Sequence, residues 1–215
     1  MSSRTRIKIC GITRLCDARQ VAELGGDAIG LVFHTQSPRA VTLDTALPIR
    51  LAMPPFVTVT ALFMNEDEGW IRQVLETVNP DCMQFHGEET PEFCQQWSRP
   101  FIKAIPMGSV KDASRYAEQF PHAQGFLLDS NVAGRQGGSG DTFDWSKIPS
   151  NFDFPLVLAG GLNPSNVAAA ITQVEPWGVD VSSGVEQSKG IKDADLIDQL
   201  FKEVKRVDVN QRIDR

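Results

Sequence analysis

Residues 156–184 of this 215-residue chain read LVLAGGLNPSNVAAAITQVEPWGVDVSSG, and they give the clearest indication of the fold class. Short apolar runs at 156–159 and 178–181 predict two strands, and the segment between them has helical character. Asn163-Pro164 predicts the start of that helix, because asparagine caps helices and proline is favoured at the first helical position. A strand, a helix and a second strand in this order predict a βαβ unit with parallel strands.

The same alternation extends along the chain from Ile7 to Val204 without a linker. Eight apolar runs bounded by turn residues predict strands at 7–10, 28–33, 57–63, 82–85, 101–105, 125–128, 156–159 and 178–181. Two helical stripes stand out between and after them, at Ile71, Val74, Leu75 and Val78 and at Leu196, Ile197, Leu200, Phe201 and Val204. Asn65 precedes an acidic first turn, and prolines at 48, 54 and 55 predict a second helix of only one or two turns.

Continuous apolar strands separated by helices are typical of a parallel sheet that is covered on both faces. Eight βα units in about 200 residues favour a closed sheet, since open doubly wound sheets more often have five or six strands. The predicted fold class is therefore α/β, a single (βα)8 TIM barrel with an eight-stranded parallel sheet.

Charge and cysteine usage exclude several classes of protein. The formal net charge is −6, and the Lys and Arg residues are scattered, which argues against a nucleic-acid partner. The four cysteines form no CxxC pair, so a reducing cytoplasm is the expected location. No apolar run approaches the roughly 18 residues of a membrane span, and the first eight residues lack the apolar core of a signal peptide.

The active site of such a barrel lies at the carboxyl ends of the strands. Cys10 and Asp129 end strands one and six, on opposite sides of the ring, where a general base and a general acid could flank one substrate. Two plainer interpretations stay open. A single cysteine is usually a small buried hydrophobe, and an aspartate after a strand can be a turn or cap residue.

Anion recognition is predicted at two places on the same rim. Gly160-Gly161 and Ser183-Gly184 follow strands seven and eight, where such barrels commonly bind phosphate, although either pair alone could simply form a tight turn. Arg39 follows Pro38 in the loop after strand two, and its guanidinium could bind a carboxylate through two hydrogen bonds. The alternative is that Arg39 is a solvated surface residue. The glycine-rich segment 132–141 is predicted to be a lid that closes over Asp129.

These residues resemble the phosphoribosylanthranilate isomerase family of tryptophan biosynthesis almost from end to end. The strings that carry the resemblance are KICGIT at 8–13, FHTQSPR at 33–39, QFHG at 84–87, LD at 128–129, GGSG at 137–140, FDW at 143–145, AGGLNP at 159–164 and VDVSSGVE at 179–186. Phe85 departs from the family, which usually has leucine there. Residues 1–207 are thus expected to form the isomerase domain, and 208–215 a frayed tail.

The resemblance implies an Amadori rearrangement of a phosphorylated aminosugar, which classes the chain as an aldose–ketose isomerase. It implies that Asp129 is the general acid, Cys10 the general base and Arg39 the ligand of the anthranilate carboxylate. His86 would line the pocket or cap its own loop, and the phosphate would rest on Gly160, Gly161, Ser183 and Gly184. No metal or cofactor is implied. The expected partner is the small-molecule substrate, with no nucleic acid or membrane, and the chain is a monomer or homodimer.

Two rival functions stay open. One is a sibling barrel enzyme, either the histidine-pathway isomerase, where paired aspartates are expected in place of Cys10, or the indole-ring-closing synthase, which needs a lysine acid and glutamates. The other is a barrel that binds a phosphorylated ligand or flavin without catalysis, because a fold does not determine a function.

Overall fold

A computed structural model describes residues 4–130, 143–149 and 152–213. Eight strands form one closed parallel barrel in the order β1-β2-β3-β4-β5-β6-β7-β8, which confirms the predicted fold class. The strands are Arg6–Cys10, Ala28–Val32, Thr58–Phe63, Cys82–Phe85, Phe101–Pro106, Gly125–Asp129, Leu156–Leu158 and Gly178–Val181. Each boundary lies within one residue of its predicted position, because strands buried on both faces are continuous apolar runs in the sequence.

The ring closes between β1 and β8, where Lys8 is paired with Asp180 and Ile9 with Val181. The outward side chains of the strands and the inner faces of the helices share one large apolar core. Phe85, the residue that departs from the family, belongs to this core and packs edge-on against Phe93 and Phe101. No helix in the described part of the chain is long and apolar enough to cross a membrane.

Seven α-helices cover the barrel within the described ranges: α1 at Leu15–Glu23, α2 at Leu43–Ala52, α3 at Glu68–Val78, α4 at Pro91–Gln95, α5 at Ala113–Ala117, α6 at Val167–Val174 and α7 at Ala194–Ile213. The described part of the connection after β6 contains a 3-10 helix at Trp145–Lys147 instead of the α-helix expected from strict alternation. The predicted lid at 132–141 lies outside the described residues.

Helix α2 has 10 residues, so the prediction of one or two turns was wrong. Thr42 caps the helix by accepting a hydrogen bond from the Thr45 N–H, and Ala46 and Ile49 are buried against the barrel. Pro48 lies inside the helix and removes one backbone donor. Burial of the apolar face outweighs that loss, as is usual for helices in proteins.

The predicted starts of α6 and α3 were also displaced. Helix α6 begins at Val167, not Pro164, because the Asn163 side chain accepts from the Ser165 N–H and closes a separate turn before the helix. Helix α3 is capped by Asp67, while the Asn65 carboxamide oxygen accepts from the Glu88 N–H and joins two loops. Asparagine is favoured in turns as well as at helix N-caps, so the local sequence could not distinguish a turn from a helix start.

Helix α7 extends further along the chain than the sequence predicted. Helix α7 continues to Ile213, and the carboxylate of Asp208 accepts hydrogen bonds from the N–H and hydroxyl of Thr5. The described part of the predicted frayed tail, residues 208–213, is therefore helical, and the boundary expected at 207 falls within a helix. A small antiparallel hairpin, β9 at Glu186–Ser188 and β10 at Ile191–Lys192, precedes α7.

Candidate active site

A cavity of about 80 Å³ opens at the carboxyl ends of the strands. Cys10 and Asp129 both line it, and they come from β1 and β6 on opposite sides of the ring. Both are nearly buried, with 5% and 7% of their surfaces exposed. The other residues of the wall are Val32, His34, Ser37, Arg39, Leu62, Met64, Gln84, His86, Asp180 and Ser182. The two residues expected to exchange protons thus line the same cavity.

The Cys10 thiol lies beside a buried ion pair. The Lys8 ammonium donates to the Asp180 carboxylate at 2.8 Å, and its charge also acts on the Cys10 thiol. Burial raises the pKa of Cys10, the positive charges of Lys8 and Lys192 lower it, and Asp180 raises it, with a net rise above the usual value. Burial also lowers the pKa of Lys8, but the negative charges of Asp180 and Cys10 outweigh it and raise the pKa overall. The resting thiol is therefore neutral at pH 7.

Glycine at position 30 makes room for this thiol. Gly30 lies on β2 opposite Cys10, and a Cβ atom there would come within 2.6 Å of the sulfur. Such an approach is far inside van der Waals contact, so any larger residue would displace the thiol.

Asp129 and His86 contact each other in the wall of the cavity. The Nε2 atom of His86 is 3.3 Å from Oδ2 of Asp129, and its Nδ1 atom is 3.0 Å from the side-chain nitrogen of Gln84. The hydroxyl of Ser130 donates to the other carboxylate oxygen at 3.3 Å. His86 thus lines the pocket, as one of the two expectations from the sequence had it, and contacts the carboxyl group directly.

Arg39 is buried and its fork already holds a carboxylate of the protein. Its Nε and Nη2 atoms donate to the two carboxylate oxygens of Glu186, both at 2.8 Å. Lys192 also donates to Glu186, at 2.9 Å, and to the backbone oxygen of Ser182. Burial raises the pKa of Glu186, but the hydrogen bond from Arg39 and the charge of Lys192 lower it below its usual range. Arg39 is therefore not a solvated surface residue.

The two glycine-containing loops after β7 and β8 touch each other. A Cβ atom on Gly184 would lie 1.9 Å from the backbone oxygen of Leu162, and Gly160 and Gly161 both have positive φ angles, of 82° and 65°. Within the described residues, the N–H groups of Gly161, Ser183 and Gly184 have no hydrogen-bond acceptor. Free N–H groups on adjacent loops form the kind of site that binds phosphate.

A further buried ion pair, separate from those of Asp180 and Glu186, holds the loops after β3 and β4. Lys103 is fully buried and donates to Glu89 at 2.9 Å and to the backbone oxygen of Gly87 at 2.6 Å. Glu89 in turn accepts from the N–H groups of Asn65 and Gly87. These bonds fix the backbone directly after His86.

Sequence reasoning missed Gln84, Asp180 and Glu186. Gln84 and Asp180 interrupt apolar strand runs, and a polar residue within a strand that is buried on both faces was an available signal of a functional interior. Glu186 has no such local signal, because its contact with Arg39 spans 147 positions.

His34 also lines the cavity and contacts Glu66 at 2.6 Å, whereas His122 lies before β6 at the opposite end of the barrel.

Comparisons with known proteins agree with this architecture. Residues 7–203 match the family model described as N-(5'phosphoribosyl)anthranilate (PRA) isomerase. An N-(5'-phosphoribosyl)anthranilate isomerase of Alcanivorax borkumensis is 51% identical over 207 residues, which cover 93% of this chain and 95% of that protein.

Solved structures of the family superpose closely. A crystal structure of phosphoribosyl anthranilate isomerase in complex with reduced 1-(o-carboxyphenylamino)-1-deoxyribulose 5-phosphate has a TM-score of 0.82 and 40% identity, covering 94% of this chain and 99% of that one. Monomers generated from the dimeric enzyme of Thermotoga maritima have a TM-score of 0.79 and 38% identity, with the same coverage. The chain therefore belongs to the N-(5'-phosphoribosyl)anthranilate isomerase family.

Proposed function

We propose that this protein is a phosphoribosylanthranilate isomerase of tryptophan biosynthesis. It converts N-(5-phosphoribosyl)anthranilate into 1-(o-carboxyphenylamino)-1-deoxyribulose 5-phosphate. The proposal rests on family membership and, above all, on one observation: Cys10 and Asp129 line the same cavity from opposite strands. An internal rearrangement needs a proton donor and a proton acceptor on one substrate, and it changes no overall redox state.

Asp129 is assigned the role of general acid. It gives a proton to the ring oxygen of the ribose, the bond from C1′ to that oxygen breaks, and the bonding electrons stay on the new hydroxyl. The lone pair of the anilino nitrogen then forms an iminium bond to C1′. The neighbouring His86 supports this assignment, because its Nε2 atom lies 3.3 Å from the carboxyl group and can hold that group in place within the cavity.

Cys10 is assigned the role of general base. As a thiolate it removes the proton from C2′, the C–H electrons form a double bond to C1′, and the iminium nitrogen becomes neutral. The resulting enolamine tautomerises to the ketone when its C2′ hydroxyl loses a proton and C1′ gains one. The pKa of Cys10 is raised by burial in the free protein, so Lys8 and the bound substrate have to stabilise the thiolate.

Arg39 is assigned to the anthranilate carboxylate. An arginine has five N–H donors, and Glu186 uses one on Nε and one on Nη2, which leaves the Nη1 edge for a second carboxylate. The bond to Glu186 holds the guanidinium in one orientation, so the Arg39 side chain loses less conformational entropy when the substrate binds.

The phosphate is assigned to Gly160, Gly161, Ser183 and Gly184. Support comes from the unused N–H groups on two touching loops and from the short 3-10 helix that begins at Ser183. We propose a small-molecule substrate as the partner, no metal or cofactor, a cytoplasmic location, and a monomeric or homodimeric state.

A fluorescence assay tests this function, since loss of phosphoribosylanthranilate can be followed directly in the purified protein. We expect turnover, and rescue of a tryptophan auxotroph that lacks only the isomerase. Turnover of the histidine-pathway substrate alone would favour the sibling isomerase. A protein that binds the substrate without converting it would favour a non-catalytic barrel.

A further inference from the structure

Gln84 is a fully buried polar residue inside the barrel that the mechanism above does not use. It lies on β4 between Leu62 of β3 and Ile102 of β5, which are its partners in the strand register and are both apolar. It also lines the cavity that contains Cys10 and Asp129. A polar group surrounded by apolar neighbours is expensive to bury unless it forms hydrogen bonds.

Only one end of the Gln84 carboxamide has a partner. Its nitrogen donates to Nδ1 of His86 at 3.0 Å, whereas its oxygen Oε1 is buried without a hydrogen bond to any described residue. Turning the amide by 180° does not remove the problem, because it exchanges an unpaired acceptor for an unpaired donor. Whichever way the amide is turned, one buried end has no partner among the described residues, and such groups are rare in native proteins.

The paired end has a defined effect on His86. In the orientation where the Gln84 nitrogen donates to Nδ1, the proton of a neutral imidazole lies on Nε2, the atom that faces Asp129 at 3.3 Å. Gln84, His86 and Asp129 therefore form a chain of polar contacts from the barrel interior to the proposed acid.

We propose that Gln84 contacts the substrate, with its Oε1 atom accepting a hydrogen bond from a hydroxyl group of the ribose portion. This inference rests on the proposed function. The position on the ring supports a hydroxyl, because the groups assigned to the carboxylate and the phosphate come from the loops after β2, β7 and β8, whereas Gln84 lies on β4. A neutral acceptor oxygen attracts a hydroxyl and repels both anionic groups.

The proposal predicts different effects on stability and on binding. Gln84→Met keeps the length of the side chain and removes both polar ends, so removal of the unpaired buried oxygen offsets the lost hydrogen bond to His86 and the melting temperature changes little. Affinity for the reduced product analogue, reduced 1-(o-carboxyphenylamino)-1-deoxyribulose 5-phosphate, falls about tenfold, as expected for one lost hydrogen bond in a closed site. The same substitution at the exposed Gln73 changes neither quantity and is the matched control.

The experiment measures dissociation constants of the analogue, and of counterparts lacking the hydroxyl at C2 or at C3, for the wild type and Gln84→Met. We expect one of these deletions to weaken binding to the wild type and to have no further effect in the variant. Equal affinity of both proteins for the analogue overturns the inference, and so does a result in which each of the two hydroxyl deletions costs as much in the variant as in the wild type. So does a clear drop in melting temperature, which would assign Gln84 to structure.

Two further outcomes are also decisive. If Gln84→Met does not fold, the inference fails, because the contact of Gln84 with His86 would then be needed for stability. If the wild type does not bind the analogue at all, the proposed function fails instead. The two failures are therefore distinguishable.

Discussion

The Lys8 ammonium and the Asp180 carboxylate meet across the β1–β8 pairing, 2.8 Å apart inside the barrel. Both side chains are less than a tenth exposed, and the pair adjoins the Cys10 thiol. The strand contact that closes the ring thus also sets the charge around the proposed base.

Replacing Lys8 by methionine tests this coupling. The positive charge of Lys8 opposes the effect of burial on the Cys10 pKa, so its loss raises that pKa further. Because the thiolate is the active form, the rising limb of the activity profile shifts to higher pH, and turnover at pH 7 falls about tenfold or more. A pH series of kcat measures the shift. Lys202→Met, at an exposed pair on α7, is the control, and an unmoved profile for Lys8→Met contradicts the coupling.

Cys10→Ser and Asp129→Asn should each reduce kcat by about two orders of magnitude or more. A hydroxyl is a far weaker base than a thiolate, and an amide cannot deliver the acid proton. Steady-state kinetics with purified substrate give the effect, and circular dichroism verifies that the fold is retained. Cys16→Ser, at an exposed position on α1, should keep wild-type activity. Full activity of Cys10→Ser would remove Cys10 from the mechanism.

Arg39→Ala should chiefly raise KM, by about tenfold or more, since a charge-assisted contact to the substrate carboxylate is lost. Arg39→Lys should raise KM similarly, because one ammonium cannot reproduce the fork that holds Glu186 and a second carboxylate. Kinetics of both variants beside Arg206→Ala, an exposed control on α7, measure the effect. A change in kcat with an unaltered KM would show that Arg39 does not bind the ground-state substrate.

The low pKa of Glu186 predicts a specific loss of stability in acid. Its folded pKa lies below the usual value of 4.5, so the ionised carboxylate stabilises the fold above about pH 4.5. That contribution is lost as the pH falls from there through the folded pKa. Urea unfolding between pH 3 and pH 6 should therefore give a steeper pH dependence for the wild type than for Glu186→Gln. Parallel curves would contradict the assignment.

Lys103→Met should lower the free energy of unfolding by about 3–5 kcal/mol, because it leaves the buried Glu89 carboxylate without its partner. Arg72→Ala breaks an exposed pair on α3 and should cost less than about 1 kcal/mol. Urea denaturation compares the two. A double variant, Lys103→Met with Glu89→Leu, should recover part of the loss, and no recovery would show that the backbone contacts of Lys103 matter more than the charge pair.

The positions of the strands could be predicted closely from sequence, whereas helix limits could not. Helix α2 forms around Pro48 because Ala46 and Ile49 are buried, and α6 starts three residues later than Asn163-Pro164 suggested. Burial and turn geometry overrode local signals in both cases.

The strand order and the positions of Cys10 and Asp129 at strand ends follow from the sequence, because barrel strands are apolar throughout and a polar or reactive residue marks the point where a strand ends. The ion pairs around the site, in contrast, depend on the folded structure. Lys8 meets Asp180 across 172 positions, and Arg39 meets Glu186 across 147. These contacts form only when the barrel closes, because closure brings the ends of distant strands to one rim. A buried charge is costly without a partner, so each charged side chain there pairs with an oppositely charged one.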